Sequence, residues 1–378
     1  MEGNNALVQR RTLVKLALAA PVIAAAGRSL AADTPLVPAS DVETRSLDEL
    51  HKAALAEGGK VIVYSGGDIP NAYAGIEKAF AERFPGMSAR VFTDLSKYHD
   101  ARIDLQLQKG RLEADVAILQ TLHDFDRWKE EGQLLAYKPL DWDAVLPEYK
   151  DPDGAFLSIG IIAFSNSYNT AKLTEDTAPR DAVDYLDPKW KGQLVLTYPH
   201  DDDAVLYQFD RIVQAHGWDY MDRLLTQDVQ WVRGTVPSRL VVAEGKKAAT
   251  FTASGTFAPA PNATSHFILP REDIFHSWPQ TGAILKEAPH KEGARLFMSW
   301  MNSKEATVAR TGQWSVRRDV PGAGKIGPIE NFNTDPFRFR TFMKDRARIE
   351  RLRIEFEHVI GPAAGPNPTN TKGVYLLG

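Results

Sequence analysis

The sequence contains no cysteine. That single absence excludes thiolate catalysis, cysteine-ligated zinc, iron–sulfur clusters and disulfides. It also removes the residue on which bacterial lipoproteins are acylated behind their signal, so a protein without a lipid tether is expected. A Gly-x-Ser-x-Gly elbow, a His-Glu-x-x-His pair and a Walker loop are missing as well. There is no internal repeat and no low-complexity tract. What remains is an ordinary folded composition, 43% hydrophobic and 25% charged over 378 residues with a net charge of −4. A chain of this length buries enough surface to hold its core without covalent staples.

Gln9-Arg10-Arg11-Thr12-Leu13-Val14-Lys15 opens an apolar run that reaches Ala26, and Ser29-Leu30-Ala31 supplies small residues behind it. A charged start, a short apolar stretch and a small-residue exit describe a secretory signal, here residues 1–31 with the cut after Ala31. The run is shorter than the roughly 20 residues of a membrane span. The arginine pair resembles the twin-arginine class of bacterial signal, which implies export of an already folded protein. Arg10, Arg11, Lys15 and Arg28 against Glu2 give the signal +3, so removing it takes the chain from −4 to −7. An exported protein this acidic is expected to have no nucleic-acid partner, since phosphate contacts need clustered basic side chains. The expected location is the periplasm.

Behind the signal, strands and helices alternate. Val61-Ile62-Val63-Tyr64 reads as a buried strand ending in Ser65-Gly66-Gly67, and Pro70 can begin a helix with Tyr73, Ile76, Phe80 and Phe84 on one face. Pro85-Gly86 stops it. A strand at 89–93, a helix near 99–109, a strand at 115–119 and a helix carrying Leu122, Phe125 and Trp128 follow. The Pro- and Gly-rich stretch 138–154 breaks the pattern, and 156–164 is the longest apolar run after the signal, long enough to leave one lobe and enter another. A second alternating unit has a helix near 181–186, strands at 193–197, 229–233, 248–252 and 283–286, and a helix starting near Asp203. The expected fold class is α/β with two lobes, each a mostly parallel sheet flanked by helices and joined by hinge crossovers. Lobe 1 is assigned 32–157 plus 281–330, and lobe 2 is assigned 158–280 plus 331–378. The basic segment 337–357, interleaved with acids, is expected to pack on the second lobe.

The order of Val-Ile-Val-Tyr-Ser-Gly (61–66), Ala-Asp-Val-Ala (114–117), Gly-Ile-Ile-Ala-Phe-Ser-Asn (160–166), Asp-Pro-Lys-Trp-Lys-Gly (187–192), Val-Ala-Glu-Gly-Lys (242–246) and Ala-Arg-Leu-Phe-Met-Ser-Trp-Met-Asn-Ser-Lys-Glu-Ala (294–306) resembles the bacterial extracellular solute-binding proteins of ABC importers. The resemblance spans about residues 45–320 and falls in the branch with ferric-iron, polyamine, phosphonate and thiamine binders. It implies a type II periplasmic binding protein whose two lobes close on a solute by hinge bending. The sequence departs from that branch where ferric binders carry adjacent tyrosines, because Thr250-Phe251-Thr252-Ala253-Ser254-Gly255 contains none. It departs again at Trp314-Ser315-Val316-Arg317, where a Pro-Val-Arg turn is common.

Ligands in such folds sit at the carboxyl ends of strands. On lobe 1 that selects Ser65, Gly66, Gly67 and Asp68, with Asp68 as the cap of the helix that follows, and also Gln120 and Thr121. On lobe 2 it selects Tyr198, His200, Asp201, Asp202 and Asp203, where one aspartate caps a helix and three are more than a cap needs. A helix start already loaded with carboxylates repels anions, which tilts the site toward a cationic, metal-bound or hydroxyl-rich solute. Thr252 and Ser254 are further candidates. Arg239, placed at a helix start, can pair with an acidic group, and Trp278 can stack on a planar ligand. No cofactor, no catalytic residue and no metal ligand set is expected. The reading is a monomeric, non-enzymatic receptor that captures a small polar solute and docks on an ABC permease of the inner membrane. The alternatives are a periplasmic carboxylate-pair hydrolase and a ligand-presenting partner of a membrane sensor.

Overall fold

The computed structural model describes residues 41–378, and the expected export signal at residues 1–31 lies outside them. The first half of the chain runs α1 (Leu47–Glu57), β1 (Lys60–Gly66), α2 (Ala74–Arg83), β2 (Ser88–Asp94), α3 (Ser96–Gln108), β3 (Val116–Leu119), α4 (Leu122–Glu130) and β4 (Leu157–Asn169). It continues with β5 (Val195–Thr197), α5 (Asp203–His216), α6 (Asp219–Leu225), β6 (Gln230–Val232), α7 (Thr235–Ala243), β7 (Ala249–Ser254), β8 (Ser265–Ile268) and β9 (His276–Ile284). The last helices are α8 (Lys291–Asn302), α9 (Lys304–Arg310), α10 (Arg338–Lys344) and α11 (Arg346–Ile360). Among the described residues no helix is long and apolar enough to cross a membrane.

Side chains on a strand alternate between faces, and the apolar runs near the start of the chain use both. Val61, Val63, Val116 and Ile118 join a core with Phe80, Phe84 and the apolar face of α8. Their neighbours Ile62, Tyr64, Ala117 and Leu119 join a second layer with Ile103, Phe125 and Trp128. Helices therefore cover both faces. A separate core gathers Tyr185, Leu196, Phe209, Phe251 and Trp278 with Phe339, Met343, Ile349 and Phe356 of α10 and α11. The basic segment thus packs on the second core, broken in two at Asp345, whose carboxylate accepts the Arg348 N–H at 3.0 Å.

One sheet, ordered β2-β1-β3-β9-β4-β7 with β8 also on β4, passes between the two regions, and β5 pairs with β6 separately. Among the named strands, parallel pairing is confined to β1 with β2 and β3 and to β5 with β6; β9 and β4 run antiparallel to each other and to their remaining neighbours. These two strands form the crossings. On β4, Ile161 and Ala163 belong to the first core, and Phe164 and Tyr168 to the second. On β9, Trp278 belongs to the second core and Ile284 to the first.

Several local expectations are corrected. Residues 70–73 are turns and α2 begins only at Ala74. The stretch Ala182–Leu186 is a 3₁₀ segment. The strand expected at 283–286 is the tail of β9. The end of the chain, expected with the second lobe, returns to the first core: Arg102 Nε donates to Gly373 O at 2.8 Å, and Gln106 Nε2 to Val374 O at 2.7 Å. Leu376 packs there against Ile62 and its neighbours. The last 18 residues are rich in Gly and Pro, so no periodic pattern marked where they would lie.

Candidate functional site

At the carboxyl end of β1 the chain comes too close to its neighbours for side chains. A Cβ on Gly66 would lie 2.2 Å from Ser96 Oγ, and one on Gly67 would lie 2.7 Å from Thr93 Cγ2. Ser96 Oγ is not free to retreat, because it accepts the Gln120 N–H at 3.1 Å. The Gly67 N–H donates to Asp94 O at 3.0 Å. Close packing of the β1, β2 and β3 ends is therefore what the glycines serve, and it brings Gln120 beside them.

Asp68 does not cap the helix that follows it. Its Oδ2 accepts the Thr235 N–H and the Thr235 hydroxyl, both at 2.5 Å, and the Val236 N–H at 3.1 Å. The N-cap of α7 is Gly234 at φ +81°, where an added side chain would crowd Asp68 Cβ at 3.2 Å and Pro368 Cγ at 3.0 Å. Helix α7 thus has no side-chain cap of its own, and a carboxylate from the far side of the cleft satisfies its first amides.

The aspartate triplet divides into three tasks. Asp202 caps α5, its Oδ1 accepting from Ala204 N–H at 2.9 Å and Val205 N–H at 3.1 Å. Its Oδ2 receives no hydrogen bond among the described residues. Burial, then the Asp68 charge, pushes the Asp202 carboxyl up to about 7. Asp201 is also buried, but Arg233 and Lys97 more than offset that and hold it below its ordinary range. Arg233 Nε lies 2.8 Å from Asp201 Oδ2, and Lys97 Nζ lies 3.0 Å from Oδ1. Asp203 pairs with Arg353 at 2.6 Å.

Between these walls lies a cavity of about 340 Å³, in the range of small-molecule pockets. Of the residues singled out from the sequence, Gly66, Gly67, Asp68, Gln120, Asp202, Ser254 and Trp278 line it. Trp278 is held there by its indole N–H on Gln280 Oε1 at 3.0 Å and by stacking on His276 at 4.8 Å between ring centroids. The lining contains two carboxylates and no basic side chain. A cavity of about 360 Å³ lined by Arg180, Gln208 and Arg211 opens on the second core alone, away from these loops.

The other candidates fall outside the cleft lining. Ser65 is fully buried, its Oγ 3.4 Å from Ile118 O, and Thr121 is buried behind the wall. Tyr198 stacks on Trp231, and His200 lies edge-on to Tyr198. Thr252 Oγ1 accepts the Thr197 N–H inside the second core at 2.9 Å. Arg239 is in the middle of α7 rather than at a helix start. Sequence reasoning missed Tyr73, Ser96, Ile162, Thr235, Val236 and Gln280, all of which border the cavity. Tyr73 was read as core on a helix starting at Pro70; its hydroxyl instead donates to Gly66 O at 3.0 Å. A β9 boundary set earlier would have exposed the inward alternation of Trp278 and Gln280.

A two-core α/β chain with one sheet crossing between the cores and a polar cavity at the strand ends has the form of a type II periplasmic binding protein. The model of the family described as bacterial extracellular solute-binding protein matches residues 78–326, more than half of the chain, and the chain belongs to that family. It is 25% identical over 214 residues to an uncharacterized protein of Haemophilus influenzae, covering 53% of this chain and 62% of that one. The match thus spans about three fifths of that curated relative's length. Among solved structures, the substrate binding protein of an ABC transporter from Agrobacterium tumefaciens is similar with a TM-score of 0.68 at 17% identity, covering 80% of this chain and 94% of that one. The periplasmic binding protein AfuA of Actinobacillus pleuropneumoniae, with fructose-6-phosphate bound, gives 0.65 at 18% identity, covering 80% and 99%. Iron-bound HitA of Pseudomonas aeruginosa gives 0.61 at 18% identity, covering 79% and 99%. At these identities the structural likenesses establish the fold.

Proposed function

We propose that the protein is a periplasmic receptor that captures a small polar solute in this cleft, closes by hinge bending and delivers the solute to an ABC permease. The observation that carries the reading is the cavity itself, walled by Gln120 and the Gly66–Asp68 loop on one side and by Asp202, Thr235 and Ser254 on the other. In this reading lobe 1 comprises 41–157 and 281–330, joined by the tail from about 369. Lobe 2 comprises 158–280 and 331–368, and β4 and β9 form the hinge. Export by the twin-arginine route and a monomeric state belong to the same proposal.

The solute favoured by the lining bears an amine together with hydroxyl or carbonyl groups. Asp202 Oδ2 supplies an acceptor for an ammonium or hydroxyl group, Gln120 and Ser254 add neutral polar groups, and Trp278 offers an aromatic face. A phosphate ester finds no basic partner in this lining, and Tyr73 alone does not make a phenolate iron site. Asp68 is engaged by the α7 amides, which argues against a carboxylate-pair hydrolase built from Asp68 and Asp202. A thermal-shift panel of polyamines, amino sugars, polyols and sugar phosphates tests the reading. Stabilisation by amine-bearing solutes that is lost in Asp202→Asn supports it, and stabilisation by phosphate esters alone overturns the assigned solute class.

A further inference from the structure

One turn behind the cleft loops, Asp100 of α3 and His123 and Asp124 of α4 bring three donor atoms within 4.8 Å of one another. Among the described residues this is the one grouping of three such side chains. Asp124 is 3% exposed, and among the described residues its Oδ2 has no hydrogen-bond partner. Among the described residues the Nδ1 of His123 also has no partner, while its Nε2 lies 3.7 Å from Asp124 Oδ1. An orphaned carboxylate oxygen beside a second carboxylate and an imidazole is costly as it stands, and a cation held among the three side chains satisfies it.

We propose that Asp100, His123 and Asp124 bind a divalent transition-metal ion. An imidazole with two carboxylates is a borderline donor set of the kind that takes Zn(II) or Mn(II). Three arginines and Asp203 face the cluster. Arg127 of α4 binds Asp124 at 2.8 Å, Arg353 of α11 binds Asp203 of α5 at 2.6 Å, and Arg346 of α11 lies close enough to act on His123. Asp100, Asp124 and Asp203 are thus matched in number by Arg127, Arg346 and Arg353, so the case for a cation rests on the unpartnered donor atoms and not on net charge. Without an ion, two facing carboxylates share a proton instead, which is the alternative occupant. An ion here would tie α3 to α4 directly beneath Ser96 and Gln120, fixing the wall of the cleft without being the solute. The set is invisible to spacing rules because its members lie on two helices, with Asp100 far upstream of the adjacent His123-Asp124 pair.

Untagged exported protein, stripped with a chelator, is dialysed against Zn(II) or Mn(II) and its metal content measured by mass spectrometry. The proposal expects about one ion per chain, with His123→Gln and Asp100→Asn each weakening binding at least about tenfold while circular dichroism shows both still folded. In the wild type the ion raises the melting temperature, and in His123→Gln it does not. No bound ion in the wild type assigns the cluster to a shared proton and overturns the proposal. So does binding that survives both substitutions, or that is lost in Asp202→Asn but kept in His123→Gln, which would put the ion in the cleft.

Discussion

Lys97 Nζ lies 3.0 Å from Asp201 Oδ1, joining the first turn of α3 to the loop that precedes α5 across the cleft. Beside it, Arg233 reaches both Asp201 and, at 3.1 Å, the Tyr98 hydroxyl. With Asp68 on the α7 amides, these contacts form a latch along one edge of the cavity. The Lys97–Asp201, Arg233–Tyr98 and Asp68–α7 contacts must break if the two lobes part, whereas Arg233–Asp201 lies within one of them.

The latch predicts that Lys97→Ala weakens closure while leaving each core intact. Arg233 still balances Asp201, so the loss is that of one charge-assisted contact, about 1 kcal/mol or roughly fivefold in Kd. Small-angle scattering checks it. The ligand-bound radius of gyration should move toward the open value, and the double variant with Asp201→Asn should lose less than the sum of the two singles.

Asp68→Ala strands the first amides of α7 only when the lobes are together. The cost expected for losing such a cap is about 1–2 kcal/mol, and it should appear in ligand affinity. Titration calorimetry should show a Kd about tenfold weaker. An unchanged Kd would mean that the α7 amides are satisfied some other way.

Asp202 gives the pH dependence. Its folded pKa is raised to about 7, above the unfolded value of about 3.9, so the folded state holds the proton more tightly. The stability tied to that proton is fully present below about pH 4 and is lost as pH rises through about 7, an effect on the order of a few kcal/mol. Asn caps a helix as well as Asp does, so Asp202→Asn should keep α5 intact and flatten this part of the stability profile. Melting temperature measured between pH 4 and 8 separates the two proteins.

A solute with an ammonium group reverses that trend in binding. Its charge favours ionised Asp202, so affinity should rise between pH 6 and 8 in the wild type and stay flat in Asp202→Asn. A neutral polyol would bind without that rise.

The strands and most helices of the first core were legible because β-branched and aromatic runs and a 3.6-residue period mark them plainly. The carboxyl ends of β1 and β3 were legible for the same reason, and they locate Gly66, Gly67 and Gln120. Partners distant in sequence were not legible. The Asp68 cap on α7 spans 167 residues, and nothing near Asp68 distinguishes it from a cap of its own helix. Thr235 and Val236 were hidden because Pro237-Ser238 suggested a later helix start, whereas Gly234 at positive φ opens α7 three residues before Pro237. The acidic triplet revealed its charge but not its division into cap, latch and ion pair, which depends on where Arg233, Lys97 and Arg353 arrive.

The most direct test of the binding account is native mass spectrometry of the protein purified gently from the periplasm, alongside its Asp202→Asn and Trp278→Ala variants. The account predicts a discrete added mass on the wild type that disappears on mild denaturation and is depleted in both variants. An added mass retained equally by all three would place the ligand elsewhere. A bare wild-type protein whose melting temperature responds to no solute in the panel would contradict the account.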